Sequence, residues 1–303
     1  MKRSKTKAKE GSGSTINLGK NKNSLTNDLR PVKVKGPPIV LFTDFGEGSI
    51  YVGEMKGVIL KVNPSCTIVD LTHNIHPQNV LQGAFLLKET FHFFPRGSIF
   101  VCVVDPGVGS TRKGLAIETR NFIFLGPDNG LLFPAVCEDR VNRVVSIENK
   151  AQLPEKISST FHGRDVFAHV AAKLSKGLDI GELGPVIHKI KDLDLPTPRV
   201  EGGKIVCTVL FIDSFGNIIT NLKRSGFREE LSRSLKISIG GSCYTLPLVN
   251  SYHEVKENQP LTLFDSFGCL ELSVNRGSAS EYFGVKCGDV ISIMLDKEKN
   301  LIS

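Results

Sequence analysis

Residues 39–62, IVLFTDFGEGSIYVGEMKGVILKV, decide the fold. Ile39-Val40-Leu41-Phe42 is an unbroken apolar run of strand length that stops at Thr43-Asp44-Phe45-Gly46. Beyond it Val52, Met55, Val58, Ile59 and Val62 return at three- and four-residue intervals, the spacing of a helix with one apolar face. The alternation continues outward. Thr67–Leu71 reads as a second strand, Val80–Phe94 as a second helix and Ser98–Val104 as a third strand. This β-α-β-α-β order predicts parallel strands with helices on both faces. Phe122–Leu125 adds a strand and His162–Leu174 a helix. After the linker-like Leu193–Glu201 the texture changes. Ile205–Ile212, Leu235–Ile239, Tyr244–Val249, Pro260–Phe264, Leu270–Val274 and Val290–Leu295 are short strands between Gly-rich turns, the pattern of a small barrel. The expected organisation is a tail over 1–37, an α/β N-terminal domain with a mostly parallel sheet over 38–195, and a smaller all-β, barrel-like C-terminal domain over 196–303.

Composition narrows the partners. The chain has 303 residues, 40% hydrophobic and 23% charged, which suits a globular protein with a sizeable core. It has no apolar run of about 18 residues, so no transmembrane helix or membrane partner is expected. The formal charge of +7 sits in the tail: residues 1–37 carry ten Lys or Arg against Glu10 and Asp28. The remaining 28 basic and 29 acidic residues nearly cancel, so the folded body presents no surplus for nucleic acid. Lys, Ser, Asn, Gly and Thr dominate the tail, which cannot bury enough apolar surface to fold. It lacks the apolar core of a secretory signal, so a cytoplasmic location is expected, with organellar targeting as the alternative. Seven dispersed Cys with no C-x-x-C pair fit buried thiols in a reducing compartment rather than disulfides or a zinc ribbon.

Polar residues gather where functional loops of parallel sheets lie, at the carboxyl ends of strands. Thr43–Gly46, Leu71–Asn74, Asp105–Arg112 and Gly126–Gly130 all follow strand runs. In Asp105-Pro-Gly-Val-Gly-Ser-Thr-Arg112, Pro and Gly permit a tight turn that folds Arg112 back toward Asp105. Such a pair is either a structural ion pair or a device that holds and polarises a water. Phe161-His162-Gly163-Arg164-Asp165 sets a histidine just before a helix, where it either caps or handles protons. His73 and His76 are three apart and could share a helix face, but no carboxylate follows in a metalloprotease arrangement, so no metal is expected. Asp213-Ser-Phe-Gly-Asn217 and Asp265-Ser-Phe-Gly268 are twin turns, each a plain β-turn or a ligand platform with Phe for stacking and Asn217 for a base edge.

Together these stretches resemble the S-adenosyl-L-methionine (SAM) hydrolase family, the SAM hydroxide adenosyltransferases, relatives of the fluorinases and chlorinases. The resemblance spans about Val40 to Met294. It is carried by Thr43-Asp-Phe-Gly with Tyr51–Gly57, Asp105-Pro-Gly-Val-Gly109 with Arg112, Pro127-Asp-Asn-Gly130, Phe161-His-Gly-Arg-Asp165, Asp213-Ser-Phe-Gly-Asn217 with Thr220-Asn221, and Ser266-Phe-Gly with Leu270-Glu271. It implies hydrolysis of SAM to adenosine and L-methionine by water attacking ribose C5′, without metal or cofactor. It also implies a homotrimer with substrate between the N-domain of one subunit and the C-domain of the next.

The family's Asp-Arg-His set falls on Asp105, Arg112 and His162, with Arg112 stabilising the developing oxygen. Asp44 matches the carboxylate that accepts the ribose hydroxyls, Phe215 and Asn217 the adenine contacts, and Asp213 and Ser266, with Phe267 beside it, positions near the methionine amine and carboxylate. Two residues depart: Ser49 stands where relatives commonly carry an Asp that helps hold the methionine ammonium, which implies weaker methionine recognition, and Asn79 stands where Asp is frequent. A halogenase is the nearest alternative, but that branch has Ser at the Gly163 position and no acid at the Asp105 position. A non-catalytic SAM or adenosine binder and an RNA-binding tail are the other two.

Overall fold

A computed structural model of the chain describes residues 36–226 and 233–294. Of the expected tail over 1–37, residues 1–35 lie outside the described residues, as does Leu295 at the end of the last predicted strand.

The first half runs β1 (Ile39–Thr43), α1 (Ile50–Val62), β2 (Ile68–Thr72), α2 (Val80–Thr90), β3 (Ile99–Val103), β4 (Gly114–Thr119), β5 (Ile123–Pro127), α3 (Phe133–Glu138), β6 (Val141–Ser146) and α4 (His169–Ser175). Among the described residues six strands form one sheet, ordered β2-β1-β3-β5-β4-β6. The pairs β1–β2, β1–β3 and β3–β5 are parallel, as expected. Strands β1 and β3 are buried along their whole length, which is why they read as continuous apolar runs. The sheet departs from the expectation at its far edge. Strands β4 and β6, absent from the sequence reading, join antiparallel to β5 and to each other. A short hairpin returns the chain from β4 into β5, so this edge needs no crossover helix.

One helical layer, α1 with α4, packs Met55, Ile59, Val170 and Ala171 on one face. Helices α2 and α3 cover the other with Phe85, Leu87 and Val136. The predicted second helix ends early as an α-helix. Thr90 Oγ1 donates to the Leu86 carbonyl at 2.6 Å, the backbone tightens into a 3-10 turn over Phe91–Phe93, and Pro95 stops it.

The second half is all β apart from the short helix α5 (Ala279–Phe283). Its strands are β7 (Arg199–Glu201), β8 (Lys204–Ile212), β9 (Ile218–Lys223), β10 (Ser234–Ile239), β11 (Ser242–Pro247), β12 (Pro260–Phe264), β13 (Cys269–Val274) and β14 (Val290–Met294). The order is β11-β10-β14-β8-β9-β13-β12, every pairing is antiparallel, and β7 pairs with β8. A bridge between Leu248 and Thr262 brings the two ends together, so the sheet is nearly barrel-shaped. The halves share apolar packing: Leu210, Ile219 and Cys269 join the α2 side of the sheet. Lys223 Nζ meets Glu89 Oε2 at 2.7 Å across that junction. No helix of the described residues is long and apolar enough to cross a membrane.

Candidate active site

Asp105 follows β3 at the carboxyl edge of the sheet, two strands from the β2 edge. The loop from Asp105 to Arg112 turns twice, with Val108 N–H on the Asp105 carbonyl and Ser110 N–H on that of Gly107. Gly109 makes the second turn possible. Its φ is +76°, and a Cβ there would stand 2.3 Å from the Ser159 carbonyl oxygen, so only glycine lets this loop lie against the 158–160 segment.

The turns bring Arg112 back onto Asp105. Arg112 Nε donates to Asp105 Oδ1 at 2.9 Å, and Nη2 donates to Oδ2. Nη2 also donates to His162 Nδ1 at 2.9 Å, joining residues 50 positions apart. The Asp105 and Arg112 side chains are only 4% and 9% exposed, and the guanidinium rests 5.7 Å over the Phe167 ring. The three residues of the expected set therefore assemble. Asp105 and His162 line the cavity, while Arg112 stands behind them and bonds to both.

His162 precedes a π-helical turn, Gly163–Ala168, that runs into α4. Its side chain makes no capping bond, which removes the capping reading. Because Nδ1 accepts from a guanidinium, the proton of the neutral ring belongs on Nε2, and the ring offers an N–H to the cavity. Burial first, then the Arg112 charge, push the His162 pKa below the usual histidine value, against the opposing pull of Asp105 and Asp165. The neutral form is thus favoured at pH 7.

Asp44, after β1, accepts the Gln78 N–H on Oδ2 at 2.8 Å. Burial raises its pKa, the Gln78 and Asp44 amides oppose this, and the Asp105 charge adds to the rise. Asp44, Asp105 and His162 line one cavity of about 600 Å³ with Phe45, Tyr51 and Phe161. Phe45, Tyr51 and Phe161 meet edge to face at centroid separations of 5.2–6.2 Å. Gly163 is wedged behind them. A Cβ there would stand 3.3 Å from Phe161 Cε2 and 3.4 Å from Phe45 Cζ, so the serine of the halogenase pattern would press on this cluster.

Glu54 and Arg164, which the sequence reading did not single out, also line the cavity. Arg164 forks onto Asp165 at 2.7 and 3.0 Å and reaches Glu54 Oε2 at 2.7 Å. Of the three cavity-lining carboxylates, Asp105 is paired with Arg112 and Glu54 with Arg164, while Asp44 takes the Gln78 N–H.

The β-half residues lie elsewhere. Phe215 and Asn217 line a separate recess of about 600 Å³, with Tyr252, that shares no residue with the first. Phe215 is 76% exposed. Asp213 Oδ1 accepts the N–H groups of Phe215 and Asn217, both at 2.9 Å, and Oδ2 takes the Asn217 amide. Asp265 braces its own turn identically through Phe267 and Cys269, at 2.9 and 2.8 Å. Turn chemistry therefore accounts for the repeated Asp and for the Gly, Gly216 and Gly268 standing at φ +82° and +71°. Ser266 and Phe267 line a third recess with Asp213 and Tyr252, and Phe267 packs edge-on to Phe85 in the core. Tyr252, held by its hydroxyl on Glu271 Oε1 at 2.8 Å, walls both β-half recesses; a lone Tyr in a loop carried no signal.

The departures keep local structure. Ser49 Oγ accepts the Tyr51 N–H and Asn79 Oδ1 the Gln82 N–H, so each caps a helix as Asp would. His73 and His76 share no helix face, since both lie in the loop between β2 and α2. Among the described residues no group of three or more His, Cys, Asp or Glu is arranged to hold a metal.

A mostly parallel α/β half carrying an Asp-Arg-His cluster, joined to a nearly closed antiparallel barrel, defines an α/β-plus-barrel class of protein. Residues 39–184 match the SAM hydroxide adenosyltransferase N-terminal domain and 207–292 the C-terminal domain of the same name, and the chain belongs to that family. It is 37% identical over 267 residues to the (R)-S-adenosyl-L-methionine hydrolase of Thermus thermophilus, covering 85% of this chain and 99% of the relative. The fluorinase of Actinoplanes sp. is more distant, 25% identical over 291 residues and covering 85% and 98%. A crystal structure of an uncharacterized conserved protein from Thermotoga maritima superimposes with a TM-score of 0.78 at 35% identity, covering 84% of this chain and 99% of that one.

Proposed function

We propose that this chain hydrolyses S-adenosyl-L-methionine to adenosine and L-methionine by attack of water on ribose C5′. The observation that carries the reading is Arg112 joined to both Asp105 and His162 at the wall of the cavity. The sulfonium leaves as neutral methionine, the water oxygen takes its place on C5′, and the water proton must go to a base. Asp105, the lining carboxylate joined through Arg112 to His162, receives it. His162, neutral with its proton on Nε2, donates to the water and fixes its lone pair toward C5′. Arg112 holds both partners in place and, standing beside the carboxylate, stabilises charge without touching the water. Positive charge on sulfur disperses along the reaction path, so a cavity that excludes bulk water favours the transition state. Asp44 takes the ribose hydroxyls, and nothing in the scheme requires a metal or cofactor. A halide next to the Asp105 carboxylate would be repelled, which favours hydrolysis over halogenation.

The adenine contacts Phe215 and Asn217 serve this reaction if a second copy brings its β half over the cavity. Two disjoint recesses and a largely exposed Phe215 support that arrangement, and closed head-to-tail contacts of this kind give the homotrimer. The test is complementation. Arg112→Ala and Phe215→Ala chains, each impaired alone, are refolded together at equal ratio. Heterologous contacts place an intact cavity beside an intact β half in about a quarter of sites, so adenosine release should recover to roughly that fraction. Recovery no greater than the sum of the two separate variants would contradict a shared site.

A further inference from the structure

Behind Asp44 lies a polar chain, buried at Thr43 and His73 and open to solvent at Asp70 and Lys56, that the proposed chemistry does not use. His73, 3% exposed, sits where β1 and β2 end, its Nδ1 2.8 Å from Thr43 Oγ1 and its Nε2 3.1 Å from Asp70 Oδ1. Asp70 Oδ2 in turn holds Lys56 Nζ at 2.6 Å. Proton directions follow from the donors. Thr43 Oγ1 already accepts the Phe45 N–H at 3.2 Å, so its own proton is free for His73 Nδ1. The ring proton then belongs on Nε2, which faces the Asp70 carboxylate at ion-pair distance without hydrogen-bond alignment, because the other tautomer would set a lone pair against that carboxylate.

The chain ends on both sides of Asp44. Thr43 is its neighbour, and the Thr43 hydroxyl closes the turn that carries it. His73 also accepts the Gly46 N–H on its carbonyl at 2.8 Å and begins the loop whose Gln78 N–H holds the Asp44 carboxylate. Gln78 itself sits at φ +65°, a left-handed conformation that needs its surroundings to keep it. Thr43 is wholly buried, so its hydroxyl cannot reach substrate.

We infer that His73, acting through Thr43, is a positioning residue that sets the Asp44 carboxylate for the ribose hydroxyls. The inference rests on the hydrolase reading and goes beyond it, since His73 touches neither water nor sulfur. It predicts a defect in ribose recognition rather than in chemistry.

The experiment uses paired substitutions in the full chain. Thr43→Val removes the hydroxyl at constant shape, and His73→Gln keeps a donor toward Asp70 while removing the acceptor toward Thr43. Thr43→Ser and His73→Asn keep that bond. KM and kcat for SAM are measured, with affinities for adenosine and 2′,3′-dideoxyadenosine and the melting temperature of each variant. Thr43→Val and His73→Gln should raise KM about tenfold with kcat within about twofold, the size expected for one lost buried hydrogen bond. Their preference for adenosine over the dideoxy analogue should shrink by the same factor, and Thr43→Ser and His73→Asn should restore both. Unchanged KM and preference in folded, active Thr43→Val and His73→Gln chains would overturn the inference alone. So would a loss confined to kcat. A wild-type chain inert toward SAM would overturn the hydrolase reading and this inference with it.

Discussion

Replacing Arg112 with Ala is expected to lower kcat for SAM hydrolysis by about three orders of magnitude, within the range for a removed acid–base device. The residue touches neither the water nor C5′ in the proposed scheme, so the loss comes through its two partners. Asp105 loses both bonds that aim its carboxylate, and His162 loses the donor that fixes its tautomer. A buried carboxylate left unpaired also weakens the fold by about 3–5 kcal/mol. The pH profile supplies the signature. His162 must be neutral to present Nε2–H as donor with Nδ1 accepting, so wild-type activity falls on the acid side, below the ordinary histidine value. Removing the Arg112 charge takes away one of the two causes that depress that pKa and leaves the upward pull of Asp105 and Asp165. The acid limb of residual activity should therefore move to higher pH. Arg112→Lys should rescue little, because an ammonium cannot fork onto Asp105 while also reaching His162. An unmoved limb in Arg112→Ala would dissociate Arg112 from His162.

Asp105→Asn is expected to lower kcat by about 10²–10⁴ while KM changes by less than about threefold. Asn keeps the shape and an acceptor for Arg112, and it loses the ability to take a proton. Kinetics across a SAM titration separate the two parameters. A rate within tenfold of wild type would remove Asp105 as the base. Asp44→Asn serves as the contrast, since its loss falls on KM through the ribose hydroxyls.

Much of this molecule could be read from residues in order, and the failures have physical causes. Buried central strands such as β1 and β3 announce themselves because both faces are apolar. Strands β4 and β6 escaped because they lie in the antiparallel part of the sheet, β4 returning by a hairpin into β5 and β6 forming the edge, where neither a continuous run nor a crossover helix marks them. The Asp105–Arg112 contact was legible because Pro and Gly force a local return. The Arg112–His162 bond joins two loops 50 residues apart, and only the stacking of β3 against the π-turned start of α4 brings them together. At Asp213 and Asp265 the reading met a pattern with two causes. Asx bracing and positive φ write the Asp and the Gly at both turns whether or not a ligand lies beside them. Ser49 and Asn79 are similar: capping constrains them to a few residue types that overlap with those of a binding role.

The most direct measurement is hydrolysis of SAM in water enriched in oxygen-18, with the (R) and (S) sulfonium epimers supplied separately and no halide added. The account predicts adenosine and methionine in equal amounts, with one heavy oxygen on the adenosine 5′-hydroxyl and none in methionine. Unchanged SAM, or adenosine released without label, would contradict attack of water on C5′.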